Sequence, residues 1–308
     1  MSLIEQAAKR LEQLRQAGVE LPDDPPARPQ EDKITPETAH SRAGKSLNKE
    51  PVREQPKPAV QQSKLVKLDL EAISASGLLV PHASRSQLAD EFRVIKRPLI
   101  DNATGKSADS IANGNLVMVT SALPGEGKSF TAINLAISIA MELDNTVMLV
   151  DADVARPSVL NMLGLPPSPG LLDVVANNSV DISGVLLRTN IEKLSILPSG
   201  TKHPRATELL ASDAMVKLLD DIASRYRDRI IVFDSPPLLL TTEARALATH
   251  MGQIVIVVHA GNTEQAAVKQ AISTIEACPV KMLVLNQSRQ SSAGGYGYGY
   301  GYGYGHDS

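Results

Sequence analysis

Beyond residue 114 the hydrophobic positions fall into two alternating patterns. Short, continuously apolar runs, LVMVTSA, TVMLVDAD, RIIVFDSPP, QIVIVVHAG and VKMLVLNQS, are separated by amphipathic stretches such as TAINLAISIAMEL. Apolar runs of that length suit strands buried on both faces, so the pattern predicts an α/β fold with a mostly parallel sheet and helices on both sides. Upstream, alternation at Val66, Leu68 and Leu70 predicts a further strand. A helix is expected over about 84–104, because Ser84 and Gln87 have capping-box spacing, and Pro98 is expected to end or kink it.

The ends of the chain break this pattern. Ile4, Ala7, Ala8, Leu11 and Leu14 share one face of a short amphipathic helix over 1–20, with Glu5, Lys9, Arg10, Glu12 and Arg15 elsewhere. Residues 21–63 hold eight of the twenty prolines and little apolar periodicity, the composition of a disordered linker. The predicted organisation is thus helix 1–20, linker 21–63, a folded domain over 64–287 and a flexible tail over 288–308.

Composition narrows the class. A hydrophobic content of 43% over 308 residues supports a real core, and a net charge of -3 gives no global reason to expect nucleic acid or an anionic membrane as partner. No stretch approaches the roughly 20 apolar residues of a membrane span, and the N-terminus carries charges where a signal peptide needs its apolar region. The expected location is cytoplasmic. Cys278 is the one cysteine, which excludes an internal disulfide, and the six histidines have no metal-ligand spacing.

The chemistry begins where the first long apolar run ends. Residues 122–129 read ALPGEGKS, the phosphate-loop pattern with alanine for the first glycine, lying between a predicted strand and a predicted helix. Gly125 and Gly127 let backbone amides approach a phosphate, Lys128 is placed for the β and γ phosphates, and Ser129 for Mg²⁺. Two more apolar runs end in acid: VMLVDAD gives Asp151 and Asp153, and IIVFDSPP gives Asp234. A carboxylate after four apolar residues belongs at a strand's exit, where an open parallel sheet binds ligands. Asp234 has the setting of a Walker B aspartate, and strand alternation predicts Asp151 and Asp153 on one side, one for metal and one for a proton. As an alternative, either serves as a helix cap or turn residue.

The tail carries the second signal. Tyr296, Tyr298, Tyr300, Tyr302 and Tyr304 are five of the six tyrosines, alternating with glycine that keeps the backbone mobile and presents the phenols to solvent. From Ser288 to Tyr300, twelve flexible residues span about 19 Å on average. Each phosphotyrosine adds about 1.5 to 2 negative charges, so five would add roughly 7.5 to 10 and drive assembled tails apart.

Together, SALPGEGKS, VMLVDADVARPS, IIVFDSPP and the tyrosine cluster closely resemble the bacterial tyrosine kinases that control capsule and exopolysaccharide assembly, over about 84–308. The N-terminal helix and Gly/Tyr tail resemble the soluble autokinases of exosortase-associated loci. The resemblance implies a P-loop NTPase-like fold and an ATP- and Mg²⁺-dependent protein-tyrosine autokinase acting on its own tail, in trans within an oligomer. It implies ATP contacts from Pro124, Gly125, Glu126, Gly127, Lys128, Ser129, Phe130 and Asn286; Mg²⁺ held by Ser129, Asp151 and Asp234; and Lys128, Asp151 and Asp153 as catalytic residues. It further implies an oligomerisation set, here Asp90, Arg93 and Lys96, that packs copies into a ring. The family's arginine two residues after the second aspartate is Ala155 here, with Arg156 next. The implied partners are a separate membrane polysaccharide copolymerase or chain-length regulator, which would hold the chain at the inner membrane, and a cognate tyrosine phosphatase. The alternative is a nucleotide-switched ATPase of the MinD or ParA type on the same fold, although those share a lysine where this chain has Leu123. In a third reading the tail is an association segment only.

Overall fold

The computed structural model describes residues 63–288 except 82–85, 108–109, 178 and 227. The expected helix over 1–20, the linker and the tyrosine tail lie outside the described residues. Eight strands form one sheet: β1 (Lys64–Val66), β2 (Leu116–Ser121), β3 (Thr146–Asp151), β4 (Leu187–Thr189), β5 (Leu194–Leu197), β6 (Arg229–Asp234), β7 (Gln253–His259) and β8 (Val280–Asn286). Their spatial order is β1-β4-β5-β3-β6-β2-β7-β8. Every pairing is parallel except β4 with β5. The mostly parallel α/β architecture matches the expectation from the apolar runs.

Residues alternate between the sheet's two faces, and both faces are packed. Met118, Met148, Ile231, Phe233 and Ile254 join one buried cluster; their neighbours Val117, Val119, Val147, Leu149, Val232 and Val255 join the other. That double burial is why these strands read as unbroken hydrophobic runs. On the second face lie α2 (Gln87–Ala103), through Phe92 and Leu99, and α3 (Lys128–Ala140), through Ile133 and Ile137. On the first lie α8 (Asp213–Arg225), α9 (Thr242–Ala248) and α10 (Gln265–Ser273). The shorter helices are α1 (Leu70–Ala75), α4 (Val159–Met162), α5 (Leu171–Ala176), α6 (Ile182–Val185) and α7 (Ala206–Leu210).

Three expectations are corrected, and for Pro98 only the first of two alternatives, an end to the helix, is excluded. β1 stops at Val66, because Asp69 accepts hydrogen bonds from the Glu71 and Ala72 amides, both at 3.1 Å, and so starts α1 at Leu70. Ser86 caps α2, which opens at Gln87, accepting from the Ala89 amide at 3.2 Å, while Ser84 lies outside the described residues. Pro98 does not end that helix, which continues to Ala103; the carbonyl it leaves unbonded is that of Val94, a residue 73% exposed, where water can take the donor's place. β8 is an edge strand rather than a strand buried on both faces, with Leu283 and Leu285 exposed.

Candidate functional site

The phosphate loop follows β2 directly and runs into α3. Its turn needs glycine at two places. Gly125 has φ of 80° and Gly127 of 92°, and a Cβ on Gly127 would stand 2.0 Å from Nδ2 of Asn286. That asparagine, the last residue of β8, donates from Nδ2 to the Glu126 carbonyl at 2.9 Å. Glu126 is itself buried, accepting from the Leu123 amide at 2.6 Å through one oxygen and from the Thr263 hydroxyl through the other. The side chains of Glu126 and Asn286, expected to contact nucleotide, are therefore engaged in holding the loop's shape. Phe130 packs into the core, which leaves its backbone as the part that faces the loop.

The acidic strand ends come together through register. β3 and β6 pair in parallel with Asp151 opposite Asp234, and β6 pairs with β2, so both carboxylates stand level beside the phosphate loop. Asp153 lies past the strand in a turn, its Oδ1 accepting from the Arg156 amide at 3.1 Å. Asp153 remains close enough to Asp151 for its charge to act on that carboxyl. Asp153 Oδ2 pairs with Lys128 Nζ at 2.7 Å, and Asp234 lies 3.9 Å from the same nitrogen. Asp151 Oδ2 instead accepts from the amides of Ser158 and Val159, each at 3.1 Å. The cap alternative is thus also true of Asp151, but through one oxygen only.

What remains is unusual. Asp151 Oδ1, both oxygens of Asp234 and the Ser158 hydroxyl are buried without a hydrogen-bond partner. Leaving such groups unpaired costs about 1 to 3 kcal/mol each, more for ions, so a cluster of them marks a place where a ligand completes the bonding. Burial, reinforced by the charge of Asp234, pushes the Asp151 carboxyl up to about 7. Burial likewise lifts Asp234 to about 6 against the opposing Lys128 ammonium. A hard cation bound by one or two carboxylates, a serine and phosphate oxygens is the Mg²⁺ pattern, and Ser129 with Asp234 fits it. No cluster of three or more His, Cys, Asp or Glu arranged to hold a metal occurs among the described residues.

Beside the loop opens a cavity of about 480 Å³ lined by Pro124, Gly125, Lys128, Ser129, Asp153 and Arg156 on one side and by Pro236, Pro237, Leu240 and Thr241 on the other. Arg156 therefore faces the space that Ala155, lacking a guanidinium, cannot fill. Thr263 and Gln287, whose Nε2 donates to the Gly125 carbonyl at 3.4 Å, were not expected from sequence. Nothing local announces them, because each meets the loop across more than 130 residues of chain.

The predicted oligomerisation residues separate. Asp90 and Arg93 are exposed and pair with one another along α2. Lys96 is 5% exposed and turns inward, to Glu142 at 2.7 Å and the Ser138 carbonyl at 2.5 Å. Its ammonium fastens α2 to the end of α3 and is not presented to a neighbour. Cys278 is buried. No helix among the described residues is long and apolar enough to cross a membrane.

Residues 115–287 match a family model described as an AAA domain. The tyrosine-protein kinase YwqD of Bacillus subtilis is 35% identical over 182 residues, covering 58% of this chain and 75% of that protein. The succinoglycan biosynthesis transport protein ExoP of Rhizobium meliloti is 31% identical over 71% of this chain, which spans only 27% of ExoP. Among solved structures, the VpsO kinase domain superposes with a TM-score of 0.58 at 25% identity, covering 66% of this chain and 95% of that domain. An AAA domain with a phosphate loop, paired acidic strand ends and this degree of likeness to YwqD places the chain in the bacterial tyrosine-protein kinase family.

Proposed function

We propose that this chain transfers the γ-phosphoryl group of ATP to the tyrosines of its own C-terminal tail, within an oligomer and in trans, and thereby regulates exopolysaccharide or capsule polymerisation and export. The observation that carries the reading is the buried carboxylate pair Asp151 and Asp234, standing level beside Lys128 with Asp151 Oδ1 and both Asp234 oxygens lacking a hydrogen-bond donor. Bound Mg²⁺ would supply charge neutralisation for the transferring phosphoryl group. Ser129 and Asp234 are the residues to hold it. Lys128 exchanges its pairing with Asp153 for phosphate oxygens, and the loop amides at Gly125 and Gly127 line the phosphates.

Asp153 is occupied by Lys128 and the Arg156 amide, whereas Asp151 keeps Oδ1 free, so Asp151 is the better base. A phenol oxygen attacks the γ phosphorus, the bond to the β-phosphate oxygen breaks, ADP leaves, and the phenolic proton passes to Asp151. A carboxyl near 7 is matched to that exchange at neutral pH. The proposal includes a separate membrane partner and an opposing phosphatase, and the name of ExoP, a succinoglycan biosynthesis transport protein, supports its polysaccharide role.

Intact mass after incubation with Mg-ATP tests the reading, comparing wild type with Lys128→Met. The expected result is several added phosphates mapped to Tyr296, Tyr298, Tyr300, Tyr302 and Tyr304, absent from the variant. Lys128-dependent ATP hydrolysis without any protein phosphate would replace it with the ATPase switch.

A further inference from the structure

At the N-terminal ends of β3 and β6 opens a cavity of about 540 Å³ that the phosphotransfer chemistry does not use. β6 runs six residues from Arg229 to Asp234, so its own length separates this cavity from the phosphate loop by roughly 17 Å. Register builds the floor. Arg188 pairs with Ser195 across β4 and β5, Ser195 with Met148 across β5 and β3, and Thr146 with Arg229 across β3 and β6. Cross-strand partners share a face, as do residues two apart, so Arg188, Ser195, Thr146 and Arg229 all stand on the side of the sheet that α8 packs against.

The half-buried Arg229 side chain reaches over β3 to β5, where its Nη1 donates to the Ser195 hydroxyl at 3.2 Å. Its guanidinium carbon lies 4.9 Å from the centre of the Tyr226 ring, and its Nε is enclosed without a partner, cut off from water on that side. The charge is thereby carried to the cross-strand neighbour of Ser195, which is Arg188. Two guanidiniums therefore converge on one cavity, and neither forms an ion pair among the described residues. Enclosed cations elsewhere are treated differently: Lys96 has Glu142 and Lys128 has Asp153. A half-buried cation that lacks a counter-charge marks a place where an anion completes the site.

We propose that this cavity binds a phosphate monoester, held between the guanidinium forks of Arg188 and Arg229. The site stands apart from the phosphate loop and does not depend on phosphotransfer.

The walls select that class by charge. Besides the two arginines, Lys193 and the exposed Glu192 line the cavity, three cations and one acid, a net charge of +2. A phosphate monoester carries about 1.5 to 2 negative charges at pH 7, which meets that balance, whereas a carboxylate or a sulfate ester brings a single charge. Neutral donors are largely spent: the hydroxyls of Ser63, Thr146, Ser183, Thr189 and Ser195 each donate already to a protein oxygen. Lys193 is spent too, its Nζ donating to the Glu142 and Leu143 carbonyls at 2.9 and 2.8 Å. The planar fork of an arginine grips two oxygens of one phosphate at once, so the free capacity matches the proposed ligand in shape as well as sign. The volume falls within the roughly 300 to 1,000 Å³ of small-molecule sites, which leaves room for the esterified group.

Calorimetric titration of the full chain tests the site, with Mg-ADP saturating so that the phosphate loop is filled. The probes are phenyl phosphate, a hexose 6-phosphate and phenyl sulfate. The expected result is saturable binding of a phosphate ester, weaker binding of the sulfate, and a loss of about tenfold in affinity, or about 1.4 kcal/mol, in Arg188→Gln. Arg188 is exposed, so that variant should fold as wild type does, and Arg188→Lys should recover only part of the loss because it keeps the charge without the fork. Arg229→Gln should remove binding, with its melting temperature as the control for folding. Lys128→Met should retain it, since the loop ammonium lies at the other end of the strands. Tighter phenyl phosphate assigns the site to phosphotyrosine and tighter hexose phosphate to a sugar phosphate; both support the monoester. Absence of saturable binding by either ester, equal binding of the sulfate, or affinity unchanged in both Arg188→Gln and Arg229→Gln overturns the proposal. Tail phosphorylation measured in Arg188→Gln at saturating ATP keeps this outcome separate from the kinase reading, which stands or falls on its own.

Discussion

The two ends of the same strands treat buried polar groups in opposite ways. At the N-terminal end, Gln253 opens β7 with no exposure, and every bonding group is used: Nε2 donates to the Leu99 carbonyl at 3.0 Å and the Gly114 carbonyl at 2.6 Å, while Oε1 accepts from Asn102 at 2.8 Å. At the C-terminal end of β6, two strands away, Asp234 is equally buried and neither oxygen has a hydrogen-bond partner, the Lys128 ammonium standing off at 3.9 Å. The first arrangement ties α2 to the sheet and serves the fold. The second leaves charge waiting and weakens the fold for the sake of a ligand.

Replacing the unsatisfied end should cost chemistry and spare stability. Asp234→Asn is expected to lower tail phosphorylation by at least about a hundredfold and to raise the melting temperature of the ligand-free chain, since an ion is removed from a dry site. Radiolabel transfer and calorimetry on one preparation measure both; a fall in melting temperature would erase the contrast. Replacing the satisfied end should do the reverse. Gln253→Ala leaves the Gly114 and Leu99 carbonyls without their donor and should cost about 2 to 3 kcal/mol in urea unfolding, with phosphotransfer per folded molecule unchanged.

Acidity sharpens the comparison further. The Asp151 and Asp234 carboxyls sit at about 7 and about 6 when folded, above the ordinary 3.8. Between roughly 4 and 7 the folded state holds protons that the unfolded state has released, so these groups make ligand-free stability fall as pH rises, with the full penalty present above about 7. A cation competes with those protons. Thermal melts at pH 5.5 and 7.5 should show the ligand-free chain losing stability with pH and the gain from Mg-ATP growing. A ligand gain independent of pH would argue against carboxylate involvement. The smallest effect belongs to the surface: Arg225→Ala breaks half-exposed pairs with Asp181 at 3.4 Å and Asp221 at 3.0 Å and should change unfolding free energy by no more than about 0.5 kcal/mol.

The satisfied and unsatisfied ends were not equally visible in the sequence. The phosphate loop, Asp151 and Asp234 were legible because each follows an apolar run that must stop where the sheet stops. Gln253 opens the run QIVIVVHAG with nothing local to mark its role, because its three bonds reach α2 and the residues before β2. Lys96 read as an oligomerisation residue by its spacing from Asp90 and Arg93, and the packing of α2 against α3 turns it inward to Glu142. β1 and β4 have three residues each, too few for a period to appear.

The pairing of Asp151 with Asp234 also sets a rule about parity. Loops between the strands can lengthen without moving either carboxylate, since register is fixed by the ladder and not by the connection. Removing a single residue within β3 or β6 is different in kind: it would send that strand's acid to the opposite face of the sheet, into packed hydrocarbon. The carboxylate pairing thus tolerates no odd change within these two strands, whereas connections that carry no residue of the site are free to lengthen.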